Sequence, residues 1–311
     1  MPRDRLIAIA ECITVLIFMS LGTVLMKLAL SNVSPWTFVA LTVLVGMICL
    51  SIYTFVIRGE RIPRGLSRQV WFYIIAIGLC NFAIARLTST LALQRMPATT
   101  STYVTNFIGF ITMGMSIFIL KETPTVFQAL GAVVAIIGLR IFFVEIPSAY
   151  ELVGIGLIFI GITAVAFTNN IARKLAIVTR NELSNNIVST VAILIGGSIS
   201  VVVGLAADFP PRVDGLNNWL IILYSGIVIT AIGLTVWNQI LRTLRSYEAS
   251  ILGASTVIWT ALLAVPILGE RLTVNQVIGI LLMIIGLALV QIRRGRFSAL
   301  LRRKSVQVTS E

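Results

Sequence analysis

Ten apolar stretches, each about as long as a bilayer is thick, dominate the sequence. A transmembrane helix needs about 20 consecutive apolar residues. The stretches cover residues 6–30, 36–57, 71–93, 98–120, 125–144, 152–172, 186–206, 219–241, 247–268 and 273–292. Because backbone polar groups cannot stay unpaired in lipid, long runs without alternation predict helices rather than barrel strands. The sequence therefore predicts an all-α integral membrane protein with ten transmembrane helices.

Composition excludes a soluble fold and argues against catalysis. Hydrophobic residues make up 58% of the 311 residues and charged residues 12%, whereas a soluble domain has about 25% charged residues. The chain has no His, so it lacks the commonest general base and metal ligand. Cys12, Cys49 and Cys80 lie in apolar runs without a metal-binding or redox spacing. We expect no enzyme, no cofactor and no metal site.

The basic residues predict the orientation in the membrane. With the amino terminus in the cytoplasm, 18 of the 24 Lys and Arg residues fall in segments on the inner side. The positive-inside rule therefore predicts that both termini are cytoplasmic. The net charge of +12 is mainly this signal, and nucleic acid is not an expected partner. Short loops predict a bacterial inner membrane, and the basic tail at 293–311 is expected to lie against anionic lipid.

The chain repeats itself at a shift of 148 residues. The positions that match without a gap include Trp71 and Trp219, Gly78 and Gly226, Thr112 and Thr260, Glu122 and Glu270, Gln128 and Gln276, Gly131 and Gly279, and Gly138 and Gly286. Each copy holds five apolar runs, one in 6–145 and the other in 152–292. Since five is odd, the second copy enters the membrane from the opposite side, which predicts an inverted repeat.

Inverted repeats are the architecture of many secondary transporters. Two similar halves of opposite topology can open a central site first to one face of the membrane and then to the other. Neither a receptor nor a membrane enzyme requires this pattern. The repeat therefore favours a carrier.

The ends of the two repeats resemble a known family. Each repeat reaches a short turn, Leu120-Lys121-Glu122 or Leu268-Gly269-Glu270, and a run with two glycines follows. Residues 7–292 thus resemble the paired EamA domains of the drug/metabolite transporter superfamily. In the first run the segment reads Met19-Ser20-Leu21-Gly22, where the family commonly has a Trp-Gly pair before the Lys.

The resemblance implies a function and a transport path. It implies a proton- or gradient-coupled carrier, most often an exporter of amino acids or other small metabolites. It also implies a central path lined by spans one, three, four, six, eight and nine. The alternatives are uptake or exchange of a nucleotide-derived or sugar-linked solute, or a non-transport membrane protein.

Polar and aromatic residues in those spans are the candidates for binding a small solute. Amides and ring edges can satisfy a polar solute while apolar walls define its shape. The candidates are Asn81, Arg86, Tyr103, Asn106, Asn169, Asn170, Trp237, Asn238 and Trp259. The alternative for any single Asn is a hydrogen bond between helices.

Two charged residues lie inside the predicted spans. Arg86 lies about 22 Å beyond Trp71 along a helix, where a charge is costly unless it is paired or hydrated. It either snorkels outward along its aliphatic stem or binds a carboxylate of the solute. Glu11 lies about 7 Å from the start of the first run; it is a candidate for proton coupling, and interfacial hydration is the alternative. Their depths differ by about 15 Å, so no salt bridge is expected between them.

Residues at helix ends and small-residue stripes have structural explanations. Glu122 and Glu270 stand beside turns, where they are expected to cap the helix that follows. Gly131, Gly138 and their copies let helices approach closely. Packing within the chain is the default, and a homodimer through the fifth and tenth runs is the alternative.

Overall fold

The structure is a computed structural model that describes residues 3–119, 121, 125–143, 147–180, 182–236 and 252–290. In this part of the chain the regular elements are all helical. The apolar helices are α1 (Arg3–Ala29), α2 (Pro35–Ile57), α3 (Arg68–Arg95), α4 (Ala98–Ile119), α5 (Val126–Phe142), α6 (Ala149–Val178), α7 (Asn185–Ala207), α8 (Leu216–Val236), α9 (Leu252–Leu268) and α10 (Val274–Val290). Each of them overlaps one predicted run.

Seven of these helices, α1 to α4 and α6 to α8, are long and apolar enough to cross a membrane. The other three are shorter apolar helices of at most 17 residues within the described ranges. Many outward-facing side chains are large and apolar; Phe118, Val202 and Ile136 are 83%, 67% and 61% exposed. Such a surface suits contact with lipid. The all-helical prediction is confirmed for the described residues, and the structure supports seven of the ten predicted spans.

Helices α5 and α10 begin with the same local signal. The Gln128 side chain accepts a hydrogen bond from the Thr125 backbone N–H at 2.8 Å, and the Thr125 hydroxyl accepts one from the Gln128 backbone. Thr273 and Gln276, 148 residues later, make the same two contacts. These capping boxes satisfy amides that have no partner within the helix. The repeat therefore extends to how its last helix starts.

The glycines of α5 and α10 bring the two backbones into contact. A Cβ on Gly286 would lie 2.6 Å from the Gly131 carbonyl oxygen, and one on Gly279 would lie 2.8 Å from that of Gly138. The earlier glycine of each helix meets the later glycine of the other, so the helices are antiparallel. The small residues of α5 and α10 therefore pack on each other within the chain, which is the default expectation from the sequence.

Helices of one repeat pack mainly on helices of the other. A Cβ on Gly226 of α8 would meet Val45 of α2 at 2.6 Å, and one on Gly78 of α3 would meet the Ala192 carbonyl of α7 at 2.6 Å. Helix α1 packs on α9, and α6 packs on both α3 and α4. The repeats therefore interlock instead of forming two separate bodies.

Short π-helical segments interrupt four helices. They are Ile52–Ile57 in α2, Leu79–Ala85 in α3, Ile193–Gly197 in α7 and Ser225–Ile232 in α8. Shifted by 148 residues, the α3 segment overlaps the α8 segment. π-Helical turns occur frequently at functional sites. This pair therefore marks the middle of α3 and α8 for closer inspection.

Candidate functional site

Polar residues gather at the π-helical segments of α3 and α8. Asn81 lies in the α3 segment and Arg86 follows it directly. In the α8 segment the Thr230 hydroxyl donates to the Ser225 carbonyl, five residues back, at 3.0 Å. A π-helical turn pairs residues five apart. The Thr230 hydroxyl is thus bonded within the irregular segment of α8.

Arg86 binds across to this hydroxyl. Its Nη2 donates to Thr230 Oγ1 at 3.1 Å, and the side chain is partly buried. Among the described residues, no carboxylate lies within 4.0 Å of the guanidinium. A guanidinium carries five N–H donors and a positive charge. Thr230 satisfies one donor and leaves the charge without a counterion in this part of the chain.

The contact shows in which direction Arg86 extends. Arg86 Nη2 lies 3.1 Å from Oγ1 of Thr230, and Thr230 is buried on α8. The guanidinium therefore reaches sideways to α8. This geometry favours interior binding over the snorkelling alternative.

The asparagines of α3 and α6 contribute to helix contacts. Asn81 Oδ1 accepts a hydrogen bond from Thr168 Oγ1 at 3.1 Å. Asn170 is 2% exposed and donates to the Thr112 carbonyl at 3.2 Å. Asn169 is exposed, with Nδ2 3.4 Å from the Thr112 hydroxyl. Asn170 therefore acts as a partner between helices here, while Asn81 and Asn169 keep accessible surface.

A second polar group joins α1, α4 and α9. Asn106 Nδ2 lies 3.4 Å from Thr256 Oγ1, and Ser20 donates to the Thr256 carbonyl at 3.1 Å. Trp259 donates from Nε1 to the Ser255 hydroxyl at 3.1 Å. Asn106 and Trp259 are both partly buried. The structure brings these two predicted residues onto facing helices, α4 and α9.

Tyr103 lies in the packed interface between α4, α5 and α10. It is fully buried, and its hydroxyl donates to the Gly279 carbonyl at 3.4 Å. Its ring stacks on Phe142 with centroids 3.9 Å apart. In this conformation Tyr103 presents no surface to a solute.

The remaining predicted residues lie elsewhere. Glu11 is exposed on α1, whereas the adjacent Cys12 is buried. Trp237 and Asn238 fall outside the described residues, so their predicted role stays a prediction. In the structure Arg86 thus contacts α8 and Asn81 contacts α6, whereas Glu11 lies on the exposed side of α1.

Lys27 binds the end of α3. Its Nζ donates to the carbonyls of Leu93 and Gln94 at 2.8 and 3.1 Å. The last carbonyls of a helix lack partners within it and carry partial negative charge. The ammonium of α1 therefore caps the carboxyl end of α3.

Glu270 caps α4, which begins three residues after α3 ends. Its carboxylate accepts hydrogen bonds from the backbone N–H groups of Ala98 and Thr99, at 2.5 and 3.2 Å. The capping role matches the prediction, but the helix does not. Glu270 caps α4 of the first repeat. The start of α10 has its own capping box, formed by Thr273 and Gln276.

A shallow cavity opens beside these two caps. It has a volume of about 450 Å³, and its lining includes Lys27, Ser31, Gln94, Pro97 and Glu270. It lies at the end of the bundle, about 12 Å along α3 from Arg86. The cavity and the Arg86 contact are therefore separate features.

The candidate site residues that sequence reasoning missed are two threonines, which act through their hydroxyl groups. Thr230 and Thr168 receive or donate the bonds that hold Arg86 and Asn81. A Thr inside an apolar helix most often binds its own backbone, so neither residue stands out in the sequence. The π-helical segment that contains Thr230 carries no sequence signal that we recognise.

Together, the apolar helices, their repeat-related interruptions and the interior polar contacts define a multi-pass membrane protein made of two copies of one unit. Sequence comparison matches residues 6–144 and 152–292 to the EamA-like transporter family. The chain therefore belongs to this family, which confirms the resemblance.

The proteins that are similar to the chain include a curated relative and a solved structure. One is an uncharacterized transporter of Clostridium kluyveri, 27% identical over 222 residues, which are 69% of this chain and 70% of the relative. The other is a protein of known crystal structure, 18% identical, with a TM-score of 0.62. The match covers 92% of this chain and 98% of that protein. At that identity the second similarity concerns the fold alone.

Proposed function

We propose that this protein is a secondary active transporter that moves a small polar or amphipathic metabolite by alternating access. The solute crosses the membrane chemically unchanged. Export of amino acids or related metabolites is the direction and substrate class that we favour, on the family resemblance. The protein would span a bacterial inner membrane ten times, with both termini in the cytoplasm.

The observation that carries this proposal is the contact of Arg86 with Thr230. It joins repeat-related irregular segments in the middle of two helices from different repeats. Secondary transporters commonly bind substrate near the midplane, at the interface of their repeats, where helices are interrupted. A polar contact at that place is where a solute would be held.

The antiparallel packing of α5 and α10 supports the inverted arrangement. These helices are copies of one another at the 148-residue shift, and their glycine contacts run in opposite directions. Copies of opposite direction are what alternating access by inverted repeats requires. We therefore propose that the two halves have opposite topology.

Counterflow into liposomes tests the proposed function. Purified protein is reconstituted with unlabelled solute inside, and uptake of labelled amino acids, nucleobases and organic cations is measured. We expect saturable counterflow of at least one amino acid, reduced at least tenfold by Arg86→Gln. Charge-preserving Arg86→Lys should also reduce it, because an ammonium lacks the planar donor set.

The matched control is Arg140→Gln. Arg140 is exposed and binds the nearby Phe143 carbonyl at 3.1 Å, so the same substitution there should leave counterflow unchanged. Absence of counterflow for every solute, in vesicles that contain folded protein, would contradict a transport function.

A further inference from the structure

The charge of Arg86 has no described counterion. Its one hydrogen-bond acceptor among the described residues is the neutral hydroxyl of Thr230. A charged side chain inside a membrane bundle is costly, and such residues ordinarily pair or line a hydrated pathway. A neutral acceptor leaves most of that cost in place. The site is therefore complementary to a negative charge brought from outside.

The guanidinium also specifies which anion fits. Its planar fork of donors matches a carboxylate in a bidentate arrangement. The Thr230 hydroxyl accepts a hydrogen bond from Nη2 of Arg86, and it donates its own proton to the Ser225 carbonyl. A carboxylate could thus take the guanidinium donors without leaving Thr230 unpaired.

The surrounding charges favour a monoanion. Lys27 lies in the last turn of α1, and the carbonyls of Leu93 and Gln94 hold it at the end of α3, about 10 Å along that helix from Arg86. A phosphate monoester carries about 1.5–2 negative charges at pH 7, more than one guanidinium can balance. One free guanidinium matches the single charge of a carboxylate.

We propose that the transported solute carries a carboxylate and that Arg86 is its anchor. Thr230 is a positioning residue that holds the guanidinium level with the middle of α8 until the solute binds. This inference rests on the proposed transport function and names the substrate class of the same site.

A series of matched analogues tests the inference. The probes are an aliphatic amino acid, its primary amide and the amine left by removal of the carboxyl group. In counterflow with wild-type protein, we expect the acid to be transported at least tenfold faster than either analogue. Arg86→Gln should remove this preference, and Arg140→Gln should keep it.

Binding is measured on the same proteins in detergent, so that the test does not depend on transport alone. The acid should raise the melting temperature of the wild type and of Arg140→Gln, and not that of Arg86→Gln. Size-exclusion chromatography establishes that Arg86→Gln is folded. If it is not, Arg86→Lys takes its place, with weakened stabilisation by the acid expected.

The outcomes separate this inference from the proposed function. Equal transport of acid, amide and amine by the wild type would overturn the carboxylate anchor and leave a transporter. So would unchanged acid preference in Arg86→Gln, or counterflow restricted to nucleobases or organic cations. Absence of all counterflow from folded protein would overturn both.

Discussion

Arg86 and Thr230 show how one charged residue depends on its neighbour. The guanidinium lies on α3, and its acceptor lies on α8 of the other repeat. Arg86 could be identified from sequence because a charge within an apolar run is conspicuous. Its partner could not be, because a single Thr looks like every other Thr that binds its own helix.

Removal of the Thr230 hydroxyl tests this dependence. Thr230→Val keeps the size of the side chain and leaves Nη2 of Arg86 without its acceptor, so the guanidinium should lose its fixed position. We expect counterflow to fall about tenfold or more, in line with the loss of a hydrogen bond to a charged group, worth about 1.5–3 kcal/mol. Proteoliposome assays of the variant measure it.

Thr235→Val is the matched control for that variant. Thr235 is on the same helix, and its hydroxyl binds the Ala231 carbonyl at 2.8 Å. Its loss should leave counterflow near the wild-type rate. Equal effects of the two substitutions would show that Thr230 has no special relation to Arg86.

At the scale of whole helices, close contact between backbones replaces hydrophobic burial as the means of association. In lipid, helices gain little from hiding apolar side chains and associate through packing and hydrogen bonds. The glycine pairs of α5 and α10 satisfy this requirement. The sequence predicted the small-residue faces correctly, but not which helix each face meets.

Gly131→Ala should destabilise the protein. The added methyl would overlap the Gly286 carbonyl and lie 2.8 Å from Val290, so α5 and α10 would have to move apart. Overpacking of this kind costs about 1–3 kcal/mol. Gly156→Ala is the control, since a Cβ there meets nothing within 4 Å. Thermal unfolding in detergent should show a lower melting temperature for the first variant alone.

Glu270→Gln tests the cap between repeats. The amide would keep one acceptor oxygen for Ala98 and lose the charge-assisted bond to Thr99. We expect a loss of about 1–2 kcal/mol of unfolding free energy, measured by thermal unfolding. The same change at Glu151, a partly exposed capping-box residue, should be nearly neutral because Gln also serves there. Equal stability of both variants would contradict the cap.

The arrangement of elements was predictable where it depends on hydrophobicity and repetition. Helix positions and the family follow from the sequence, and the orientation in the membrane stays a prediction. The sequence did not predict the π-helical segments, or the packing of α2 on α8 and of α3 on α7. They depend on contacts between residues far apart in the chain, which one sequence does not reveal.

For the molecule as a whole, the interlocked repeats restrict how it can change conformation. Sequence reasoning suggested two halves moving against each other. Because α2, α3 and α4 pack on α6, α7 and α8, any rigid group that moves must contain helices of both repeats. Alternating access in this fold would therefore rearrange mixed groups of helices.

Cysteine labelling tests the predicted orientation. In a variant without Cys12, Cys49 and Cys80, single cysteines are placed at Asn32 and Arg64, exposed positions before and after α2. A membrane-impermeant maleimide on intact cells should label Asn32→Cys, and label Arg64→Cys only after permeabilisation. The opposite pattern would place both termini outside.

Interlocking also has a consequence for synthesis. The ribosome completes the first repeat before α7 and α8 exist, so Gly46 and Gly78 emerge with their packing partners, Gly226 and Gly196, still untranslated. The early helices must stay in the bilayer without most of their packing partners until the second repeat arrives. Helix α2 packs on α3 within the first repeat, but the main contacts of these helices are with the second. Truncation after the first repeat should therefore leave helices that insert but do not assemble, and degradation by membrane proteases would be their expected fate.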